Sequence, residues 1–243
     1  MKSTLLVLTA LCAVQLPAQT IVQQFSAVSR GTGVVSDMDL APTAKGSVLI
    51  AMPLELSPGV KVLSVTDNAP EGGNTYKQVS GASSSCGKRA LDIWYCERCN
   101  PGVTELKFHL SDHVNASINA FVEVAGLASP AVVDGSGVHL TDGAASGEGL
   151  EAGPSIATTA KDFIVARYFS SAPMPTAVTP EPWSFNSSFV YVLSGASGSY
   201  RPTLTGAKAA SQFCMSMAAF TAAPADAGPS AGSIPALVPP THP

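Results

Sequence analysis

Cys96 and Cys99 form a Cys-x-x-Cys, while Cys12, Cys86 and Cys214 stand apart from it. That spacing serves a disulfide, a redox centre or half of a zinc site. Redox chemistry needs a βαβ setting, which the flanking residues do not form. Zinc needs a second close pair, and Cys86 and Cys214 are isolated. Structural bridges remain. Arg89 to Cys96 reads as one extended strand about 26 Å long. Such a strand sets Cys86 and Cys96 at opposite ends, beyond the roughly 7 Å between Cα atoms that a disulfide tolerates. The expected pairs are Cys96–Cys99, bracketing Glu97 and Arg98, and Cys86–Cys214.

The other reactive residues offer less. His109 and His113 flank Asp112, and on a helix their rings would share a face. On a strand they stand about 13 Å apart, too far to share a metal. A sandwich glycosidase needs two carboxyl groups roughly 5 to 9.5 Å apart on one face. Glu123 and Asp92 each fall within a strand pattern, yet no Glu-x-Asp-x-x-Glu cluster accompanies them. Gly195-Ala-Ser-Gly198 lacks the spacing of a nucleophile elbow. No glycine-rich loop opens a helix, so no phosphate cradle is expected. The sequence assigns no catalytic residue, no metal ligand and no cofactor.

Two tryptophans point to binding. Asp92, Trp94 and Cys96 alternate with Leu91, Ile93 and Tyr95. If the Leu91 side is the core, Trp94 stands on the outer sheet surface beside a carboxylate. A flat ring there suits the apolar face of a sugar. The other reading covers Trp94 with a loop or the N-terminal strand, since large aromatics are highly buried on average. Trp183, in Pro180-Glu-Pro-Trp-Ser, is a loop aromatic with the same two prospects. Asp92, Trp94 and Trp183 are thus the candidate ligand-binding residues. Asn115-Ala-Ser117 and Asn186-Ser-Ser188 match glycosylation sequons.

The elements that position these groups are strands. Leu106, Phe108 and Leu110 alternate with Glu105, Lys107 and His109, the mark of a half-buried strand. Ser117 to Ala125, Asp162 to Phe169 and Gln212 to Phe220 alternate likewise. Gly46 to Leu56 is more continuously apolar and reads as central. Asp67 to Asn74 and Asn100-Pro101-Gly102 carry turn chemistry. Many short strands without a helical period predict an all-β fold, a two-layer antiparallel β-sandwich of jelly-roll or concanavalin-like type. Only 12% of the 243 residues are charged, against about 25% on average. A formal charge of −4 excludes a domain-wide basic field for nucleic acid.

Residues 1–18 read as a secretory leader. Lys2 precedes an uncharged run from Leu5 to Val14, then Pro17 and Ala18. No later stretch supplies the roughly 20 apolar residues of a membrane span. The expected organisation is a leader at 1–18, a sandwich domain at 19–222 and a Pro/Ala-rich disordered tail at 223–243.

Several short segments recur in a familiar order. They are Gly46-Ser-Val-Leu-Ile, Val65-Thr-Asp67 with Gly73-Asn74-Thr75-Tyr76, and Asp92-Ile-Trp-Tyr95. Val122-Glu-Val-Ala-Gly126-Leu127 with Asp134, and Gly198-Ser-Tyr200, follow. Over residues 20 to 222 the chain resembles a jelly-roll-like sandwich domain of secreted bacterial proteins, mostly of unassigned activity. The resemblance implies an extracellular location and a binding or structural role. The cysteines are not part of its pattern.

The expected function is that of a secreted, non-catalytic β-sandwich protein in surface adhesion, extracellular structure or glycan binding. Its partner would be an extracellular glycan or another surface protein. The rival expectation is a hydrolase acting on extracellular polysaccharide, which two converging carboxylates on a concave sheet would favour.

Overall fold

The computed structural model describes residues 19–86, 89–142, 150–159, 161–172, 174–186, 188–206 and 212–224. The expected leader and almost all of the expected tail lie outside these residues. All regular structure among the described residues is strand. Up to Cys86 the chain contains β1 (Thr20–Asp39), β2 (Ser47–Met52), β3 (Val62–Asp67), β4 (Tyr76–Gln78) and β5 (Ser84–Cys86). Next come β6 (Arg89–Leu91), β7 (Trp94–Cys96), β8 (Glu105–Ala125) and β9 (Val133–Asp142). The second half adds β10 (Leu150–Ala152), β11 (Ile156–Thr158), β12 (Asp162–Ser170), β13 (Ala177–Thr179) and β14 (Ser184–Asn186). It closes with β15 (Phe189–Gly195), β16 (Gly198–Tyr200), β17 (Thr203–Thr205) and β18 (Gln212–Phe220).

Two large antiparallel sheets make the sandwich. The first runs β1-β8-β2-β7-β4, with β3 also on β8; the second runs β14-β15-β12-β18-β9. Val48, Ile50 and Met52 of β2 and Val122 of β8 meet Phe163 and Val165 of β12 and Phe220 of β18 in one core. Burial of this apolar surface, at roughly 25 cal/mol per Å², is the main force holding the sheets together.

β8 is one strand where the alternation suggests two. Its first part pairs with β3, from Leu110 opposite Val62 to Leu106 opposite Asp67. Its last part pairs with β2, from Ala120 opposite Met52 to Ala125 opposite Ser47. Between them the ladder to β1 slips, at Gly33 opposite Val114 and again before Val35 opposite His109. Such irregularities bend and twist a strand. The bend is large enough for Leu106, Phe108 and Leu110 to share a core with Phe121 of the same strand. The first sheet therefore curls over its own outer face.

The second sheet is also covered twice. Ile164, Ala166 and Tyr168 of β12 and Met215 and Met217 of β18 pack with Leu204 of β17 and Ile156 of β11. These covering strands belong to two small sheets, β10-β17-β13 and β11-β16. As a result the first seven residues of β12 are all buried. The one-sided exposure expected of Asp162 to Phe169 does not occur, because both faces have partners.

Arg89 to Cys96 is not one strand either. β6 pairs with β5, whereas β7 pairs with β2 and β4. The chain changes sheets at Asp92 and Ile93. Cys96 and Cys99 are disulfide-bonded, with Cα atoms 5.4 Å apart. Cys214 is also disulfide-bonded. The side chain of Cys86, its expected partner, lies outside the described residues. Nearby, Ser216 Oγ of β18 donates to Ser84 Oγ of β5 at 3.4 Å.

Candidate functional site

The change of sheet at Asp92 opens a cleft of about 590 Å³ lined by Lys61, Val62, Gln78, Ser83, Arg89 and Asp92. The backbone makes the change by borrowing partners: Asp92 N donates to Pro53 O at 3.4 Å, and Val79 N to Ile93 O at 2.9 Å. The Asp92 carboxylate is then tied in place. Ser83 Oγ donates to its Oδ1 at 2.6 Å, and the Gln78 side chain also hydrogen-bonds to it. Burial raises the Asp92 carboxyl above its ordinary range, and these two donors pull it back. The Arg89 guanidinium lies 4.8 Å over the ring of Phe169, and its Nη1 donates to Gln212 Oε1 at 3.2 Å.

Behind this cleft sits Glu55. Its backbone N–H donates to Ala90 O at 3.0 Å, but both carboxyl oxygens are buried without a hydrogen-bond partner. Burial pushes the carboxyl up to about 7, and the Asp92 charge adds to the rise. Glu55 is fully buried and is not part of the cleft wall. Its proton is a response to burial rather than a group presented to a ligand.

Trp94 is 7% exposed and packs inside the curl of the first sheet, with Leu49, Val62, Phe108 and Phe121. Its ring cannot form an outer platform, because β3 and the first part of β8 lie over that face. Trp183 is 8% exposed and packs edge-on against Tyr200, centroids 6.4 Å apart. Of the three candidate ligand-binding residues, the structure leaves Asp92 at a cleft and places both rings in cores.

The remaining sequence candidates hold the fold. Glu123 accepts from Gln23 Nε2 at 2.7 Å and from Ala44 N at 2.6 Å, and also bonds Ser47 Oγ. Asp67 accepts from Asn74 N at 2.9 Å and Tyr76 Oη at 2.8 Å, while Asn74 Oδ1 receives Asn100 N at 2.7 Å. The β3–β4 and β7–β8 connections are thereby stapled together. His109 bonds Thr66 Oγ1 at 2.8 Å on the exposed side of β8. Among the described residues no group of three or more His, Cys, Asp or Glu converges to hold a metal.

A second carboxyl pair lies elsewhere. Asp134 accepts from Thr159 N at 2.7 Å and Thr159 Oγ1 at 2.9 Å, which holds it ionised below its ordinary range. Asp162, buried beside it with neither carboxyl oxygen hydrogen-bonded, is pushed up to about 7, chiefly by burial and further by the Asp134 charge.

Residue types alone did not single out Glu55, Gln78, Ser83 or Arg89. One signal was present: Glu55 interrupts an apolar run, as Arg167 does in Phe163-Ile-Val-Ala-Arg-Tyr-Phe. A charge inside such a run is a buried charge, and a buried charge needs an answer. No helix among the described residues is long and apolar enough to cross a membrane. In comparisons with known proteins, no family model, no curated protein and no solved structure matches the chain.

Proposed function

We propose that the chain is an exported, non-catalytic binding module whose Asp92 cleft takes an extracellular glycan. One observation carries the reading: a carboxylate held rigid by Ser83 and Gln78 lies in a cleft that also presents Lys61 and Arg89. A fixed acceptor beside cationic and amide donors can receive vicinal sugar hydroxyls in defined orientation. Val62 gives the ring carbons an apolar contact. No aromatic platform contributes, so affinity rests on hydrogen bonds. A glycan array probed with the purified protein is expected to return a small set of related glycans. Gln78→Ala, at an exposed position, should weaken the best of them roughly five- to tenfold, about 1 kcal/mol. An array without hits, or hits untouched by Gln78→Ala, defeats the cleft assignment.

A further inference from the structure

A second cavity, of about 270 Å³, opens between the two large sheets. Val28 of β1 and Ile118 of β8 line it from one side, and Arg167, Phe169 and Ser188 from the other. Met174, 55% exposed, stands at its rim. Apart from Arg167 and the small hydroxyls, the cavity is walled mostly by carbon.

Arg167 is 1% exposed. Its Nη2 donates to Ile118 O at 2.6 Å, and its Nη1 donates to Ser188 O. A guanidinium has five N–H donors, so these bonds leave capacity unused. Arg167 Nε has no partner, and neither does the buried Ser188 Oγ. No carboxylate among the described residues forms an ion pair with Arg167. Burial lowers its pKa only to about 10, so the group stays charged at neutral pH. A cation buried without a counter-charge is a deficit that an anion entering the cavity removes.

We infer that this cavity binds a single-chain amphiphile, its carboxylate on Arg167 and Ser188 and its tail along Val28, Leu54, Phe169 and Met174. Few polar groups fixing one end of an apolar pocket is the usual form of such a site. An apolar peptide ending in a free carboxylate carries the same head group. It fits less well, because its amide groups would find only carbon along the walls. The site is separate from the Asp92 cleft, and its test does not depend on glycan binding.

Titration calorimetry of the purified protein with decanoate below its micellar concentration is the direct experiment. Saturable one-to-one binding is expected, tightening by up to about fourfold for each methylene added between hexanoate and decanoate. Decanol should bind roughly ten- to a hundredfold more weakly, since it lacks the charge-assisted bonds. Arg167→Met should cost a similar factor. If that variant misfolds, Met174→Asp, at an exposed rim position, should weaken decanoate binding by at least about tenfold through charge and lost apolar contact. Failure of decanoate to bind overturns the inference, as does equal binding of decanol. Tighter binding by an N-acetylated apolar tripeptide with a free C-terminus overturns it in favour of a peptide site.

Discussion

The Asp92 cleft and the cavity between the sheets answer the same problem, a buried charge, in different ways. At the Asp92 cleft the charge is supplied with donors of its own, Ser83 and Gln78. Glu55, behind it and without donors, sheds its charge by taking up a proton near neutral pH. At the cavity between the sheets, Arg167 has neither remedy in full. Backbone carbonyls satisfy part of the guanidinium, and burial brings it down only to about 10. A carboxyl group can be neutralised by water alone, whereas a guanidinium at neutral pH can be answered only by an anion. That asymmetry is why one depression reads as a polar recognition surface and the other as an anion-headed pocket.

The largest expected effect tests the wall behind the polar cleft. Trp94 packs with Val62, a cleft residue, inside the curl of the first sheet. Trp94→Ala should cost about 3 to 5 kcal/mol in denaturant unfolding, the range for removing a large buried ring. A loss under about 1 kcal/mol would mean that the curl does not close over this ring, and would restore an aromatic surface beside Asp92.

The second effect separates Glu55 from Arg167 by pH. Folding raises the Glu55 carboxyl from an ordinary value of 4.5 to about 7. The folded state therefore holds this proton more tightly than the unfolded chain does. Stability from this group is complete below about pH 4.5 and is lost as the pH rises through about 7. Asp162, raised from 3.8 to about 7, adds a loss of the same sign over nearly the same window. Thermal melts should fall between those limits, and Glu55→Gln should flatten part of the fall while Arg167→Met leaves its slope in place. An unchanged slope in Glu55→Gln would show that Glu55 is solvated and already charged.

The smallest effect concerns Asp92 itself. Gln78 donates one of the bonds that hold its carboxyl down against burial. Gln78→Ala should move the Asp92 titration upward, as read by carbon NMR of the side-chain carboxyl, with little change in melting temperature. A downward move, or none, would remove Gln78 from the cleft's electrostatics and weaken its proposed role in binding.

Local alternation was readable wherever one face of a strand meets solvent or a single partner. Leu106, Phe108 and Leu110 fall together in the core as their spacing requires. Val48–Met52, continuously apolar in sequence, is buried throughout. The short segments around Asp67, Asn74 and Gly126 were legible too, though as construction. Asp67, Asn74 and Tyr76 bind one another across a turn, Glu123 clasps the loop at Ala44, and Gly46 and Gly126 take the positive φ that strand ends need there. These roles belong to the fold, so they carry no information about a ligand. The candidate site was far less legible. Asp92 was recognised, but its companions Gln78, Ser83 and Arg89 come from β4, the turn after it and β6, which no spacing rule joins.

Composition and period alone determined that this chain is a β protein with turns at its Gly, Asn and Pro clusters. Those are local properties, set by which φ/ψ and side-chain alternation each residue tolerates. Where the chain changes sheets, and which strand face acquires a second cover, was decided only by tertiary structure. Trp94 is buried because β8 bends across from it, some residues further along the chain, and Arg167 is stranded because a distant strand supplies Ile118 O but no carboxylate. Burial and charge compensation are relations between segments far apart in sequence, and only the packed fold brings them together.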